Sequence, residues 1–254
     1  MTNIIVVANQ KGGVGKTTTV LNLATALHKL RKKVLVIDID PQGNATTGCG
    51  IDKSTLKNSV YDLLVNDVDV NTIIIKSESC GFDIIPTNRH LSGAEIELID
   101  VEKREFILKN ALSKLKTNYD VILVDCPPSL SLLTINALSA ANSILVPIQC
   151  EYYALEGLSD LLNTINLMQK KLNPKLKLLG IVRTMFDKRN NLAQDVSEQL
   201  VEHFGDKVFY ASIPRSVRLA EAPSYGISTV ALDPSSIGAD AYMRLAKEVI
   251  KILS

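Results

Sequence analysis

Short apolar runs recur along the chain, and most show no alternation of polar and apolar residues. A continuous aliphatic run bounded by polar turns is typical of a strand in a parallel sheet, because helices cover such a strand on both faces. We interpret as strands residues 4–8, 34–37, 82–86, 121–124, 143–148 and 178–182. The pattern therefore predicts a mainly parallel sheet.

Between these runs, apolar residues recur at the spacing of amphipathic helices. The stripe of Val20, Leu23, Leu27 and Leu30 is one example. We predict further helices at residues 155–172 and 238–253, one ending near residue 204, and a longer helical region at 98–115. Residues 45–80 show only a short helical pattern. The alternation predicts one α/β domain over residues 1–254, a mainly parallel twisted sheet flanked by helices on both faces.

Composition narrows the function classes only slightly. The chain has 254 residues, of which 46% are hydrophobic and 22% charged, which is ordinary for a globular protein. The formal net charge is +1, so no general basic field indicates a nucleic-acid partner. Any contact with DNA must come from a local patch.

The sequence shows neither the apolar run of a membrane span nor the cysteine spacing of a zinc site. No apolar run approaches the roughly 18 residues of a membrane span, and no charged-then-apolar leader precedes the first strand. We therefore expect a cytoplasmic protein without membrane association. Cys49, Cys80, Cys126 and Cys150 lack the spacing of a zinc site, and we expect them to be reduced, partly buried thiols.

A glycine-rich stretch follows the first strand and leads into the first helix. Such a turn points backbone N–H groups inward at the positive end of a helix and so cradles phosphates. We expect Lys16 to reach the terminal phosphates and the Thr17 hydroxyl to hold Mg²⁺. The candidate nucleotide-binding residues of this loop are Lys11, Gly12, Gly13, Val14, Gly15, Lys16, Thr17 and Thr18.

Carboxylates follow two of the predicted strands. Asp38 and Asp40 end the second strand, and residues two apart at a strand end point the same way, so both can face a magnesium ion and an attacking water. Asp125 ends the strand at 121–124, the Walker B arrangement in which the aspartate reaches Mg²⁺. A plainer interpretation is that Asp40-Pro41 only begins a turn. The phosphate loop expected next to this segment favours the functional interpretation instead.

The loop departs from the ordinary phosphate-loop pattern in one informative way. Gln10 stands where that pattern has a glycine, and a second lysine stands at Lys11. The form KGGVGKTT is the deviant Walker A signature, and the chain resembles the ParA/MinD group of P-loop ATPases. The phrases DIDPQGNAT, QCEYYALEGL and IPRSVRLAEAPSYG are similar to the ParA/Soj partition ATPases, in the short form without an N-terminal helix-turn-helix extension.

This resemblance implies a mechanism. In the family, ATP with Mg²⁺ closes a sandwich homodimer in which the lysine matching Lys11 reaches the partner's nucleotide. The residue matching Asp40 orients the hydrolytic water, and Asp38 supports Mg²⁺ and its hydration shell. The dimer binds double-stranded DNA without sequence preference, and a ParB-type centromere-binding protein stimulates hydrolysis. The resemblance thus implies a catalytic set of Lys11, Lys16 and Asp40 and a nucleoid-associated, cytoplasmic DNA-segregation ATPase.

The resemblance also carries over residues outside the loop. The family's DNA-binding arginines match Arg189, in a predicted loop at residues 185–191, and Arg218. Without the resemblance both would be taken as ordinary surface arginines. Relatives frame the adenine ring at the positions of Met185 and Pro214. The alternative is a MinD-like membrane-associated ATPase that places the division site, which requires a lipid-binding C-terminal helix.

Overall fold

The computed structural model describes residues 2–254, which fold into an α/β domain. Within these residues one eight-stranded sheet forms, with eleven α-helices around it. The strands are β1 (Asn3–Val7), β2 (Val34–Asp38), β3 (Ile75–Lys76), β4 (Asp83–Ile85), β5 (Val121–Asp125), β6 (Ser143–Gln149), β7 (Lys177–Phe186) and β8 (Val208–Pro214). The helices are α1 (Lys16–Lys29), α2 (Asn44–Gly48), α3 (Val60–Val65), α4 (Leu91–Glu97), α5 (Ile107–Leu112), α6 (Leu132–Ala140), α7 (Ala154–Lys171), α8 (Asn191–Phe204), α9 (Val217–Glu221), α10 (Thr229–Leu232) and α11 (Ile237–Leu253).

The sheet confirms the predicted fold class. Its strand order is β3-β4-β2-β5-β1-β6-β7-β8, and every pair is parallel except β3 with β4. The register places Val7 and Asp38 on either side of Asp125. The phosphate loop and the candidate carboxylates therefore leave the same edge of the sheet, at the carboxyl ends of its central strands, where open α/β sheets bind ligands.

Burial on both faces explains the unbroken apolar runs. In β1, Val6 packs into the core under α3–α8, whereas Ile5 and Val7 pack into the core under α1 and α11. All three side chains have no exposed surface. Burying each such side chain contributes about 1.5–3 kcal/mol, so the sheet holds the loop above β1 on a rigid base.

The predicted helical region at residues 98–115 is wrong in detail, because α4 already ends at Glu97 and α5 begins only at Ile107. Residues 98–106 form a break between these two short helices, and the last three of them make a single 3-10 turn. Lys103 adopts a left-handed backbone conformation, φ 57°, inside the break. The buried side chain of Asn136 donates to the carbonyl of Arg104 (2.8 Å) and accepts from the amide of Leu108 (3.1 Å). A side chain from α6 thus satisfies backbone groups that a continuous helix would have paired internally.

The loop predicted at residues 185–191 begins later than expected. Met185 and Phe186 belong to β7, because the pairing of β7 with β8 continues to Phe186 opposite Pro214.

The four cysteines are fully rather than partly buried, and none forms a disulfide. Among the helices of residues 2–254, none combines the length and the apolar character that a bilayer crossing requires.

Candidate active site

The glycine-rich loop connects β1 to α1 and is held from two sides. Gly13 and Gly15 have φ angles of 74° and 85°, in the left-handed region that favours glycine. The hydroxyl of Thr184 in β7 donates to the carbonyl of Val14 (2.7 Å), and the side chain of Asn9 accepts from the amide of Lys11 (3.0 Å). The loop is therefore fixed by its neighbours.

Lys16 is the first residue of α1 and lies folded against the loop. It is 7% exposed, and its Nζ donates to the carbonyl of Lys11 (3.1 Å). Burial lowers the pKa of Lys16, while the nearby carboxylates of Asp125 and Asp40 oppose that shift. A desolvated ammonium inside a ring of backbone amides is suited to bind a phosphate anion.

A cleft of about 370 Å³ opens above the loop. Its lining residues come from the loop and from the two turns that follow β2 and β5: Gly12, Gly13, Gly15, Lys16, Thr17, Thr18, Asp40, Gln42, Asn44 and Pro128. Asp40 is 8% exposed, and its Oδ1 accepts from the amide of Gln42 (3.0 Å). The structure thus brings Lys16, Thr17 and Asp40 to one cleft, as expected from the sequence.

Asp125 provides the test for a metal ion. The residue is fully buried, and neither carboxylate oxygen forms a hydrogen bond with any group of residues 2–254. Desolvation first, and the neighbouring Asp38 and Asp40 next, raise the pKa of Asp125, while the Thr17 hydroxyl beside it opposes the shift without completing a hydrogen bond. A buried carboxylate without a partner fits a cation, and Mg²⁺ uses one or two protein carboxylates together with phosphate oxygens.

No group of three or more His, Cys, Asp or Glu side chains suited to a metal is found in residues 2–254. Mg²⁺ at nucleotide sites in general takes one or two carboxylates from the protein and most of its other ligands from phosphate oxygens and water. Asp125 and Thr17 are the protein groups that would hold it.

Asp38 differs from Asp40 in its surroundings. Asp38 is fully buried, and its Oδ2 accepts from the amide (2.8 Å) and the hydroxyl (2.6 Å) of Thr46. Burial raises the pKa of Asp38 to about 6, although the hydrogen bonds from Thr46 oppose the shift. Asp38 does not line the cleft. Its contacts fix the turn that carries Asp40, and a direct role toward magnesium stays a prediction.

Lys11 is not among the residues that line the cleft. Its Nζ forms an ion pair with Glu151, two residues after the end of β6. The two side chains are 48% and 46% exposed. Because the pair is half-exposed, it contributes at most about 1 kcal/mol and can be exchanged for another partner.

A second cavity of about 380 Å³ continues from the first and shares Gly13, Gly15 and Thr18 with it. Met185 and Pro214 line this cavity, where they were expected. Met185 has a positive φ of 49°, an uncommon conformation for a residue with a side chain and one that clusters at binding sites. The remaining lining residues, among them Thr184, Ile213, Leu219 and Tyr242, carry no separate signal in the sequence. Together the two cavities can hold a triphosphate at one end and a base at the other.

The two candidate DNA-binding arginines lie outside both cavities, on the surface. Arg189 is 90% exposed and donates through Nε and NH2 to the carboxylate of Asp187. These hydrogen bonds lower the pKa of Asp187 to about 2. Arg218 in α9 is 60% exposed and pairs with Glu221 (2.6 Å) and Asp233 (3.7 Å). Both guanidinium groups are therefore accessible, and each has an acidic partner in the free chain.

The parallel sheet, the glycine-rich loop with its buried lysine and the unpartnered aspartate define a P-loop nucleotide-binding protein. The AAA domain family model matches residues 2–178. The sporulation initiation inhibitor protein Soj of Bacillus subtilis is 55% identical over 98% of this chain and 98% of its own length. The chromosome partitioning protein ParA of Caulobacter vibrioides is 47% identical over 97% of this chain and 93% of its own. The chain belongs to the ParA/Soj family of chromosome-partitioning ATPases.

Solved structures support the fold and the binding of nucleotide with magnesium. A Mycobacterium smegmatis protein, described as cobyrinic acid a,c-diamide synthase with bound ATP analog and magnesium, matches at 38% identity with a TM-score of 0.85. The match covers 97% of this chain and 93% of that one. The septum site-determining protein MinD of Pyrococcus horikoshii, complexed with Mg-ADP, is more distant, at 28% identity and a TM-score of 0.78 over 99% and 97% of the two chains.

We expect the Asp125→Asn substitution to raise the melting temperature of the protein without nucleotide. Because burial raises the pKa of Asp125, ionising this carboxyl at neutral pH costs stability when no cation is bound. The uncharged amide should remove that cost, and a gain of about 1 kcal/mol would raise the melting temperature by about 2–4 °C. The gain should be small near pH 4 (about the unfolded pKa) and grow as the pH rises. Calorimetry in the presence of a chelator measures it, and a melting temperature below that of the wild type at neutral pH would contradict the strained carboxylate.

Proposed function

We propose that this protein is an ATP-dependent DNA-segregation ATPase whose ATP-bound form is a sandwich homodimer. Formation of the dimer creates a surface that holds double-stranded DNA without reading its sequence. Hydrolysis, stimulated by a ParB-type centromere-binding protein, opens the dimer and releases the DNA. The chromosome-partitioning relatives support this proposal, and so does the geometry of one residue, Lys11.

The position of Lys11 is the observation that carries the proposal. Its backbone carbonyl faces Lys16 inside the loop, whereas its side chain leaves the loop toward Glu151 and is half-exposed. A lysine placed at the rim of its own cleft can enter the cleft of a second copy. Charge that develops on the transferred phosphoryl oxygens must be met by a cation, and a cation donated in trans makes turnover conditional on dimerisation.

Within one subunit, the chain's own groups divide the work. The loop amides and Lys16 bind and orient the phosphates, and Thr17 and Asp125 would hold Mg²⁺. Bound Mg²⁺ would neutralise charge on the β- and γ-phosphate oxygens. Asp40, which lines the cleft, accepts a hydrogen bond from the attacking water and aligns it with the terminal phosphorus. Asp38 keeps Asp40 in place through the Thr46 contacts and the amide of Asp40 (3.3 Å).

DNA binding follows from joining two sets of surface cations. Phosphate contacts need only accessible guanidinium or ammonium groups, and a dimer doubles their number. Arg189 and Arg218 are accessible in this way, and their acidic partners weaken each single contact. A monomer should therefore bind DNA poorly, and the dimer should bind it on the nucleoid without base readout.

The Arg189→Ala/Arg218→Ala double variant should lose most of its ATP-dependent DNA affinity. Two contacts from each of two subunits neutralise about four phosphates, so the slope of log affinity against log salt should flatten by about 3 to 4. Fluorescence anisotropy with random-sequence duplexes, with ATP, ADP or no nucleotide and over a range of salt, measures both effects. The control variants are Lys33→Ala and Lys177→Ala, at the opposite edge of the sheet. An unchanged salt slope in the double variant would remove these arginines from the interface.

The membrane alternative finds no support in the last helix. The apolar face of α11, including Ala239, Tyr242, Leu245 and Val249, is buried against the rest of the protein. Glu248 on the same helix accepts from two amides of edge strand β8. A helix that lies in the lipid interface must present its apolar face to the bilayer, so α11 would have to leave the fold. Liposome co-sedimentation with ATP distinguishes the two functions, and lipid binding without DNA binding would favour the alternative.

A further inference from the structure

A third cavity, which we call the switch-side cavity, lies behind the turn that carries Asp40. Its volume is about 620 Å³, which is in the range of small-molecule sites. The polar lining includes Gln42, Lys53, Asn88, Arg89 and His90. Gln42 also lines the phosphate cleft, so one residue separates the two spaces.

The charged residues that line the switch-side cavity, Lys53 and Arg89, are both positively charged. No aspartate or glutamate is among its lining residues, all of which belong to the described part of the chain. Within residues 2–254, neither Lys53 nor Arg89 takes part in an ion pair. The nearest acidic neighbour in sequence, Asp52, is engaged with the amide and hydroxyl of Ser54. In a chain with a net charge of only +1, this is a local concentration of unpaired cations facing a concave space.

The cavity is physically connected to the catalytic turn. The Lys53 Nζ donates to the carbonyl of Gln42 (2.7 Å). The Lys53 stem packs on Gly43, where an added Cβ would come within 2.6 Å of the Lys53 Cδ. Next in the chain to the lining residue Asn88, the amide of Thr87 donates to the hydroxyl of Thr46 (3.0 Å), the same hydroxyl that donates to Asp38. A ligand that draws on Lys53 or on residues 88–90 therefore acts on both ends of the Asp40 turn.

We propose that the switch-side cavity binds a small phosphate-bearing anion, held between Lys53 and Arg89, at a site separate from the nucleotide cleft. The amides of Gln42 and Asn88 and the ring of His90 supply further hydrogen-bonding groups. Concave geometry favours a small ligand over the backbone of duplex DNA, which requires protruding cations. The occupied site adjusts the turn that holds Asp40.

The experiment is a residue-resolved NMR titration of the full chain. Saturation with ADP and excess Mg²⁺ first fills the phosphate loop, and inorganic phosphate or AMP is then added. We expect saturable shifts at residues 53–56 and 88–92, followed by the amides of Asp40 and Gly43. Arg89→Gln and Lys53→Met should each weaken the binding by about tenfold, the loss of one charge-assisted hydrogen bond. Lys53→Met keeps the stem that covers Gly43, and Lys57→Met, outside the lining, is the matched control.

Two results would overturn the proposal. The first is that phosphate and AMP produce no saturable shifts in this region, or that Arg89→Gln leaves them unchanged. The second is that a short duplex DNA, and not the small anions, shifts residues 88–92 and loses affinity in Arg89→Gln, which would make the cavity part of a nucleic-acid surface. Both results leave the partition function intact, because that function is tested separately, by ATP-dependent dimerisation of the same variants in samples that contain ATP and no ADP.

Discussion

Replacement of Asp40 by alanine should stop ATP turnover, whereas the ATP-bound dimer should still form and still bind DNA. Asp40 lines the phosphate cleft, and within residues 2–254 its side chain accepts one hydrogen bond, from the amide of Gln42. Losing that bond costs about 1 kcal/mol, too little to unfold the domain. Losing the group that orients and polarises water should lower the hydrolysis rate by roughly a hundredfold or more.

A steady-state phosphate-release assay and a DNA-binding assay on the same preparation separate the two effects. Asp100→Ala, an exposed aspartate between α4 and α5, is the matched control and should behave as the wild type. Hydrolysis at the wild-type rate in Asp40→Ala would show that another residue orients the water.

Replacement of Lys11 by alanine should separate nucleotide binding from dimerisation. ATP should still bind, because Lys16 and the loop amides remain. The dimer should weaken by at least about thirtyfold, since removing one member of a buried charge contact typically costs 2 kcal/mol or more. ATP-dependent DNA binding should disappear with the dimer.

Two further variants make the Lys11 result specific. Glu151→Gln removes the partner of Lys11 in the free chain but keeps the lysine, so the ATP-bound dimer should still form. Lys16→Ala removes the buried ammonium inside the loop, so ATP binding itself should be lost. If Lys11→Ala formed the ATP-bound dimer with wild-type affinity, Lys11 would have no role across the interface.

Six of the eight strands, all but β3 and β8, and the phosphate loop were predictable because their signals are local. Unalternating apolar runs report burial on both faces, and a glycine-rich turn between strand and helix reports a phosphate cradle. Parallel pairing then places Asp38 and Asp125 side by side, as the register confirms. These features need no knowledge of distant contacts.

The missed features depend on residues that are distant along the chain. The break at residues 98–106 is stabilised by Asn136, about thirty positions later. Lys11 is paired with Glu151 across 140 positions, and no periodicity reveals such a contact. Met185 was assigned to a loop because its strand continues only through pairing with β8. Tertiary contacts overrode local preference in each case.

Asp38 shows the same limit within the site. Its alternation with Asp40 predicted that both carboxylates face the ligand, and local geometry supports that inference. Thr46 in α2, however, donates two hydrogen bonds to the Oδ2 of Asp38, one from its amide and one from its hydroxyl. Two aspartates with equal sequence signals thus acquire different surroundings from the fold.

The central claim is that ATP joins two subunits and that only the joined form holds DNA. The most direct measurement is the mass of the Asp40→Ala protein with ATP, determined by sedimentation velocity with and without a short random-sequence duplex. The account predicts a dimer that carries the duplex with ATP, and a monomer that leaves the duplex free with ADP. A monomer that carries the duplex with ATP would contradict it.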